Sequence, residues 1–183
     1  LISFPNYDSP SSALVKMYLG GEFGSSPSEV NAYAASAFYA VDRFAGYHKD
    51  WGPFYAEGGT LVADRYATSN YIHQAIKLPK EEWMGFVQWL EDFEYAKMGL
   101  PKPDVVVYLD VEPQVSQKLL AQRYAGDEAK KDIHESDLEY LLKCREAALW
   151  CTGGLGWRKI ECSEDERMRP VEESARDVFA YIK

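Results

Sequence analysis

The sequence lacks several features that nucleic-acid-binding, secreted and membrane proteins need. Its 20 Lys and Arg residues are outnumbered by 29 Asp and Glu, and at a net charge of −9 it contains no basic block suited to a polyanion. It has no apolar run near the ~20 residues that a membrane-spanning helix requires, and no signal-like stretch of charge followed by apolar residues. We therefore expect a cytoplasmic protein that binds neither nucleic acid nor membrane.

Cysteine is also scarce. Cys144, Cys151 and Cys162 are an odd number, lack the spacing of metal ligands and lie in apolar surroundings. We interpret them as reduced core thiols rather than as a disulfide framework or a metal site.

The residues that are present predict a single α/β domain over residues 1–183. A chain of 183 residues that is 46% hydrophobic can bury one core. Short runs rich in β-branched or aromatic residues predict buried strands, and they alternate with helical patterns. This alternation favours a parallel sheet with helices on both faces. The predicted strands are residues 1–4, 60–63, 105–109 and 159–162; the predicted helices follow residue 26, include residues 83–93 and 138–149, and follow Pro170.

The clearest predicted helix begins at residues 26–29. Ser26 is a typical N-cap, Pro27 suits the first helical position, and Glu29 completes a capping box. Apolar residues then recur at the three-four spacing of one helix face, which predicts that this face is buried. The face consists of Val30, Tyr33, Ala34, Ala37, Phe38, Val41, Phe44 and Ala45.

Asp64 and Arg65 follow the predicted strand at residues 60–63, and a helix start comes after them. Ligands of open parallel sheets bind beyond the carboxyl ends of the strands. An Asp there can hold Mg²⁺, an adjacent Arg can bind a phosphate through two parallel hydrogen bonds, and a helix N-terminus attracts anions. The pair therefore predicts a metal and phosphate site, and an ion pair that closes the strand is the alternative.

Tyr39 and Arg43 lie four residues apart and so share one face of the long helix. An aromatic ring and an Arg donor can together stack on a base and hydrogen-bond to its carbonyl. The alternative is a Tyr that packs over the Arg stem.

A polar segment at residues 123–135 separates two predicted helices. Its glycine and its cations are typical of a mobile loop that closes as a lid, although composition alone favours a solvated charged loop. Asp132, His134 and Glu135 could be metal ligands, but capping of the next helix is the better interpretation.

Four short motifs occur in an order and spacing that resemble one enzyme family. They are Phe4-Pro5-Asn6-Tyr7, Tyr39-Ala40-Val41-Asp42-Arg43, Asp64-Arg65-Tyr66 followed by Ser69-Asn70, and Leu100-Pro101-Lys102-Pro103-Asp104. Each motif alone is weak, but together they resemble the thymidylate kinases. The resemblance runs from the first residue to the last predicted helix.

The resemblance implies a P-loop nucleoside monophosphate kinase fold. It also implies transfer of the γ-phosphoryl group of ATP to dTMP, giving dTDP, with Mg²⁺ and usually in a homodimer, for which the helix beginning at Pro27 is a candidate interface. Tyr39, where many members have Phe, would stack on thymine, and Arg43 would hydrogen-bond to its O4. Arg65 would hold the dTMP phosphate, while Asp64 would organise Mg²⁺ and the transferring group.

Further residues are implied around the acceptor and in the lid. Asn70 would approach the base, and Tyr7 matches a phosphate-contacting Tyr of some bacterial members. His73 stands where other members have an aromatic residue near the sugar, a departure that leaves sugar discrimination open. The implied substrate contacts also include Phe4, Pro5 and Ser69, and the implied lid residues over ATP are Arg123, Lys130 and Lys131.

The larger departure is at the donor side. Family members begin with a strand, a G-x-x-x-x-G-K-[ST] loop and a helix, and this sequence has no match to that motif. We expect this unit of roughly 30 or more residues, including the central P-loop strand, to precede Leu1 in the intact protein, and the chain without it to be inactive. Two alternatives stay open: another nucleoside monophosphate kinase, and a noncatalytic nucleotide-binding or dimerisation subunit without the donor loop.

Overall fold

The computed structural model describes residues 1–123, 133–135 and 137–182. These residues form two compact units. The first unit comprises residues 1–102 with 133–134, and the second comprises residues 103–123 with 135 and 137–182. Lys130 and Lys131, both predicted lid residues, lie outside the described residues.

Two short parallel strands organise the first unit. Strand β1 (Ile2–Ser3) pairs with β2 (Ala63–Asp64), and Ser3 lies opposite Asp64. The Phe4 amide donates to the Asp64 carbonyl at 3.0 Å, which extends the pairing by one step. Parallel pairing and the position of β1 are confirmed, whereas β2 shares only Ala63 with the strand predicted at residues 60–63. Ala63 and Asp64 are exposed, so the expectation of a buried second strand is wrong. Within the described residues β2 has one strand neighbour, β1.

Helices make up most of the first unit. The α-helices are α1 (Ala13–Leu19), α2 (Ala32–Gly46), α3 (Gly52–Ala56), α4 (Ser69–His73) and α5 (Trp83–Glu91). Turns of 3₁₀-helix cover Pro10–Ser12, Pro27–Glu29, Ala75–Lys77 and Lys80–Glu82, and π-helical turns follow α2 and α5 at Tyr47–Trp51 and Asp92–Lys97.

Helix α2 begins later than its capping box predicts. The capping box forms, but it closes only the 3₁₀ turn Pro27–Glu29, after which Val30 is extended. Asn31 is the true N-cap, since its side-chain oxygen accepts a hydrogen bond from the Ala34 amide at 2.9 Å.

The buried face of α2 is also not the predicted one. None of the predicted apolar face is fully buried: Tyr33, Val41 and Phe44 are exposed at 41%, 46% and 39%, and its other residues are partly buried. The helix buries instead a face of small and charged side chains, because Arg43 pairs with the buried Glu94 and Asp42 accepts hydrogen bonds from the loop after β1. The buried residues are Ala32, Ala35, Ser36, Ala40, Asp42, Arg43 and Gly46.

Aromatic side chains form the core beneath the strand ends. Phe4, Trp51 and Tyr66 are buried together with Ala67. Within the helix predicted to include residues 83–93, α5 buries apolar residues at three-four spacing, namely Trp83, Phe86, Val87 and Leu90.

The second unit repeats the parallel strand pair on a larger scale. Strand β3 (Val107–Asp110) pairs in parallel with β4 (Arg158–Glu161), which confirms the two remaining predicted strands and their parallel pairing. The expectation that these strands are buried is wrong, since only Asp110 and Ile160 are buried within them. An antiparallel hairpin of β5 (Ser163–Glu164) and β6 (Arg167–Met168) follows. The α-helices of this unit are α6 (Pro113–Arg123), α7 (Leu138–Gly154) and α8 (Val171–Ile182).

Helix α7 supplies the buried core of the second unit. Cys144, Ala147, Ala148 and Cys151 are buried along it, and Cys162 is buried after β4, as expected of core thiols. Burial raises the pKa of the Cys151 thiol to about 12, so it stays protonated. In the part of the chain that the structure describes, none of the helices combines the length and hydrophobicity needed to cross a membrane.

Candidate functional site

The end of strand β2 carries the predicted acid and base. Asp64 and Arg65 are both exposed, and the Ser3 hydroxyl of β1 donates to the Asp64 carboxylate at 3.4 Å. Across the described residues the two side chains do not pair with each other, so the alternative of a strand-closing ion pair is not supported. Both charges are therefore available to a ligand.

Arg65 has an unusual backbone. Its φ of 63° lies in the left-handed region, which costs a residue with a Cβ roughly 1–2 kcal/mol. Such residues persist where the surrounding structure over-determines them, and they cluster at binding and catalytic sites. This backbone observation does not depend on the sequence motif, and it points to the same residue, Arg65, as part of a functional site.

The loop after β1 is attached to α2 by a buried carboxylate. Asp42, which is 1% exposed, accepts a hydrogen bond from the Asn6 amide at 2.8 Å and from the Ser11 hydroxyl at 2.5 Å. Tyr7, 52% exposed, is carried on this loop, which begins with a cis bond between Phe4 and Pro5. Asp42 belongs to the predicted Tyr39–Arg43 motif, but its own role was not predicted, because a carboxylate in a helical pattern is usually solvated.

Arg43 is held by a partner that the sequence analysis missed. Its Nε donates to Glu94 Oε2 at 2.7 Å and its Nη2 donates to Glu94 Oε1 at 2.5 Å. Both side chains are buried, at 2% and 0% exposure. The Tyr66 ring centroid lies 6.0 Å from the Arg43 guanidinium carbon. Because Tyr66 directly follows Asp64 and Arg65 in the chain, this contact brings the buried pair close to that motif.

Tyr39 lies one turn before Arg43 on α2 and is partly buried. Its ring meets the Tyr18 ring edge-on, with the ring centroids 6.4 Å apart. The first unit therefore contains Tyr39 and Arg43 together with the strand-end pair.

Helix α4 contributes buried amides. Asn70 is 3% exposed and Gln74 is 0% exposed, and they are four residues apart. Asn70 Nδ2 and both polar side-chain atoms of Gln74 have no hydrogen-bond partner within the described residues. Leaving such groups unsatisfied costs ~1–3 kcal/mol each, which a bound ligand or water would relieve. Gln74, the residue that follows α4, was not predicted, and no signal in the sequence marks it; the predicted Ser69 is half-buried at the start of α4.

Two histidines lie in the same unit. His73 stacks on His134, with ring centroids 5.7 Å apart, and His134 Nε2 lies 2.8 Å from the Tyr18 hydroxyl. Burial, followed by the positive charges of Lys77 and Arg65, lowers the pKa of His134 to about 3. Burial and then Arg65, His134 and Lys77 lower the pKa of His73 well below its usual value. Both rings are therefore neutral at pH 7, and Arg65 and Lys77 carry the positive charge beside them.

The interpretation of residues 132–135 as a helix cap is wrong. Asp137 caps α7, because its carboxylate accepts from the Tyr140 amide at 2.9 Å. Within the described residues no cluster of three His, Cys, Asp or Glu side chains could hold a metal ion, and Asp132 lies outside them. Arg123 Nη1 lies 3.4 Å from the Glu135 carboxylate in the second unit.

Comparison with known proteins decides the family. The sequence model of the family described as thymidylate kinase matches residues 1–160. The chain belongs to the thymidylate kinase family.

Several relatives of this thymidylate kinase family member support the assignment. A thymidylate kinase of Mycobacterium tuberculosis is 30% identical over 160 residues, which are 85% of this chain and 72% of the relative. A probable thymidylate kinase of Pyrobaculum aerophilum is 28% identical over 154 residues, 84% of this chain and 70% of the relative. The solved thymidylate kinase of Candida albicans has a TM-score of 0.63 at 16% identity, covering 99% of this chain and 77% of that one. This likeness shows the nucleoside monophosphate kinase fold.

Proposed function

We propose that the intact protein transfers the γ-phosphoryl group of ATP to dTMP, giving dTDP. The observation that carries the proposal is the strand end at Asp64 and Arg65. Two unpaired opposite charges follow a parallel strand there, and the second sits on a strained backbone. Phosphoryl transfer needs aligned phosphates and compensated charge more than covalent chemistry, and this pair suits that task.

The acceptor nucleotide would be bound by residues of the first unit. Arg65 would hold the phosphate of dTMP through its guanidinium, and Tyr7 would contact the same phosphate from the loop after β1. Tyr39 would stack on thymine, and Arg43 would donate to O4. The unpaired amide of Asn70 supports its proposed role near the base.

Pro5 and Ser69 are proposed to line the acceptor site, and His73 to stand near the sugar. Phe4 would support the site from the core rather than contact the nucleotide directly, because it is 5% exposed and its ring lies 6.0 Å from that of Tyr66. The neutral state of His73 suits contact with an uncharged sugar.

Mg²⁺ fits the exposed carboxylate at the strand end. This ion keeps several waters and usually takes only one or two carboxylates together with substrate phosphates. Asp64 would hold it, with the Ser3 hydroxyl already within 3.4 Å of the same carboxylate. The bound ion would neutralise charge on the transferring phosphoryl group.

The donor side is proposed to be ATP beneath a lid at residues 123–135. Arg123, Lys130 and Lys131 would compensate the charge of its phosphates. We also propose a homodimer formed through the exposed apolar side of α2, since Tyr33, Val41 and Phe44 are too exposed there to serve the core.

A substrate panel tests the function. The chain with any segment that precedes it in the native protein is incubated with ATP, Mg²⁺ and either dTMP, dGMP or CMP, and ADP release is measured. We expect release to depend on dTMP. A preference for dGMP or CMP would point to another nucleoside monophosphate kinase, and dTMP binding without ADP release would identify a noncatalytic subunit.

A further inference from the structure

The Arg43–Glu94 pair uses one whole edge of the guanidinium. A guanidinium has five N–H donors, and the two parallel hydrogen bonds to Glu94 occupy Nε and one hydrogen of Nη2. No described residue accepts a hydrogen bond from Nη1. The remaining donors therefore point away from Glu94, and the position of Glu94 decides their direction.

A second contact, with the Tyr66 ring, restricts the movement of the guanidinium. The Tyr66 ring lies 6.0 Å from the Arg43 guanidinium carbon, and the Tyr66 hydroxyl donates to the Pro101 carbonyl at 3.0 Å. Because Tyr66 is itself held at its far end, its ring limits how far the guanidinium can move away from Glu94.

Burial makes this arrangement depend on Glu94. With Arg43 at 2% exposure, water cannot solvate the cation, and a buried charge without a partner is strongly unfavourable. If Glu94 lost its charge, Arg43 would turn towards any other acceptor or towards solvent. The carboxylate thus keeps the cation both inside and oriented.

We propose that Glu94 is a positioning residue for base selection, which orients Arg43 so that its free donors meet a carbonyl at position 4 of a pyrimidine. This inference rests on the proposed function, which places Arg43 at the base. Arg43 can only donate, so a 4-carbonyl is satisfied, whereas the 4-amino group of cytosine sets donor against donor. Glu94 would therefore determine discrimination between dTMP and dCMP without touching either nucleotide.

Equilibrium binding tests the proposal, because it needs no phosphoryl donor. The dissociation constants of dTMP and dCMP are measured for the wild-type protein and for Glu94→Gln, which keeps the size of the side chain but removes its charge. We expect dTMP binding to weaken about tenfold and the dTMP preference over dCMP to fall by about the same factor. Glu94→Asp keeps the charge on a shorter side chain. Its dTMP affinity and its preference for dTMP over dCMP should lie between those of the wild type and Glu94→Gln.

Asp110→Asn is the matched control. Asp110 also forms two parallel hydrogen bonds to an arginine, Arg145, but in the second unit. We expect this variant to unfold at a lower temperature while its dTMP to dCMP ratio stays at the wild-type value.

A double variant decides whether Glu94 acts through Arg43. Glu94→Gln should change the binding ratio in the wild-type background and leave it unchanged when Arg43 is already Ala. If Glu94→Gln unfolds, the same comparison is made with Glu94→Asp. A reduced melting temperature with an unchanged binding ratio would overturn the proposal, as would a wild-type protein that binds dCMP as tightly as dTMP. Absence of ADP release with a normal ratio would count against the proposed function alone.

Discussion

Each unit buries a carboxylate against an arginine, and the two pairs differ in how completely they are sealed. In the first unit Arg43 and Glu94 are 2% and 0% exposed. In the second unit Asp110 is 1% exposed, but Arg145 is 34% exposed, and Lys159 Nζ lies 3.9 Å from the same carboxylate. The second pair is open to water and lies near Lys159, which itself pairs with Glu161 at 2.5 Å, so it suits closure of a strand end. The first pair is closed to water and oriented, which suits the base-recognition role that we propose for Arg43.

Stability measurements should reveal this difference most strongly. Arg43→Ala leaves Glu94 as an uncompensated buried charge, which we expect to lower the free energy of unfolding by about 3–5 kcal/mol. Arg145→Ala should cost only about 1–2 kcal/mol, since Lys159 and water can still solvate Asp110. Urea unfolding of the two variants measures both values. Equal losses would contradict the contrast between a sealed and an open pair.

Left-handed residues provide a second comparison between the units. In the first, Arg65 has a φ of 63°; in the second, Asp165 and Glu166, with φ of 48° and 58°, form the turn between β5 and β6. Arg65→Gly should lower kcat about 10²–10³-fold through loss of phosphate stabilisation. Its melting temperature should not fall, because glycine adopts this backbone without strain. Ordinary turnover in this variant, measured as ADP release, would remove Arg65 from the site.

Dependence of stability on pH should also separate the units, because all three histidines, His48, His73 and His134, belong to the first. The pKa of His134 is about 3 in the folded protein and near 6.5 when unfolded. Between these values the unfolded state binds more protons, so stability is complete above pH 6.5 and falls as the pH falls.

We expect His134 alone to cost about 2 kcal/mol between pH 7 and pH 5. Unfolding free energies at the two pH values check this. In the control variant His134→Gln, the loss of unfolding free energy between pH 7 and pH 5 should be smaller by that amount. A slope unaffected by the substitution would show that His134 protonates readily in the folded protein.

The smallest expected effect is in the hairpin of the second unit. Glu166→Gly should raise the free energy of unfolding by about 0.5–1 kcal/mol, because glycine suits a left-handed turn position. ADP release should not change, since nothing assigns this turn to the site. Reduced turnover at unchanged stability would place the hairpin in the functional site and weaken the contrast with Arg65.

Local patterns predicted well wherever neighbours along the chain decide the structure. The strand ends before Pro5 and Arg65, the buried face of α5 and the final helix follow from short runs and three-four periodicity. The buried face of α2 did not follow, because the helix has an apolar stripe and a face of small and charged residues, and periodicity alone does not say which is turned inward.

The missed site residues share one cause. Glu94 lies 51 residues from Arg43, and Asp42 meets an amide 36 residues away. A carboxylate in a helical pattern is usually solvated, so the sequence offers no reason to bury it until its partner is known. Gln74 was missed for a related reason, since only the tertiary structure shows that its amide is buried without a hydrogen-bond partner.

By itself, the sequence determined the family, the order of strands and helices, and the position of an acid and a base after a parallel strand, because motifs and short-range periodicity carry that information. Only the tertiary structure decided that α2 turns its charged face inward, that Glu94 rather than solvent neutralises Arg43, and that His134 stacks on His73. These outcomes depend on which distant groups can satisfy a buried charge or hydrogen bond, and that is set by packing rather than by neighbours in the chain.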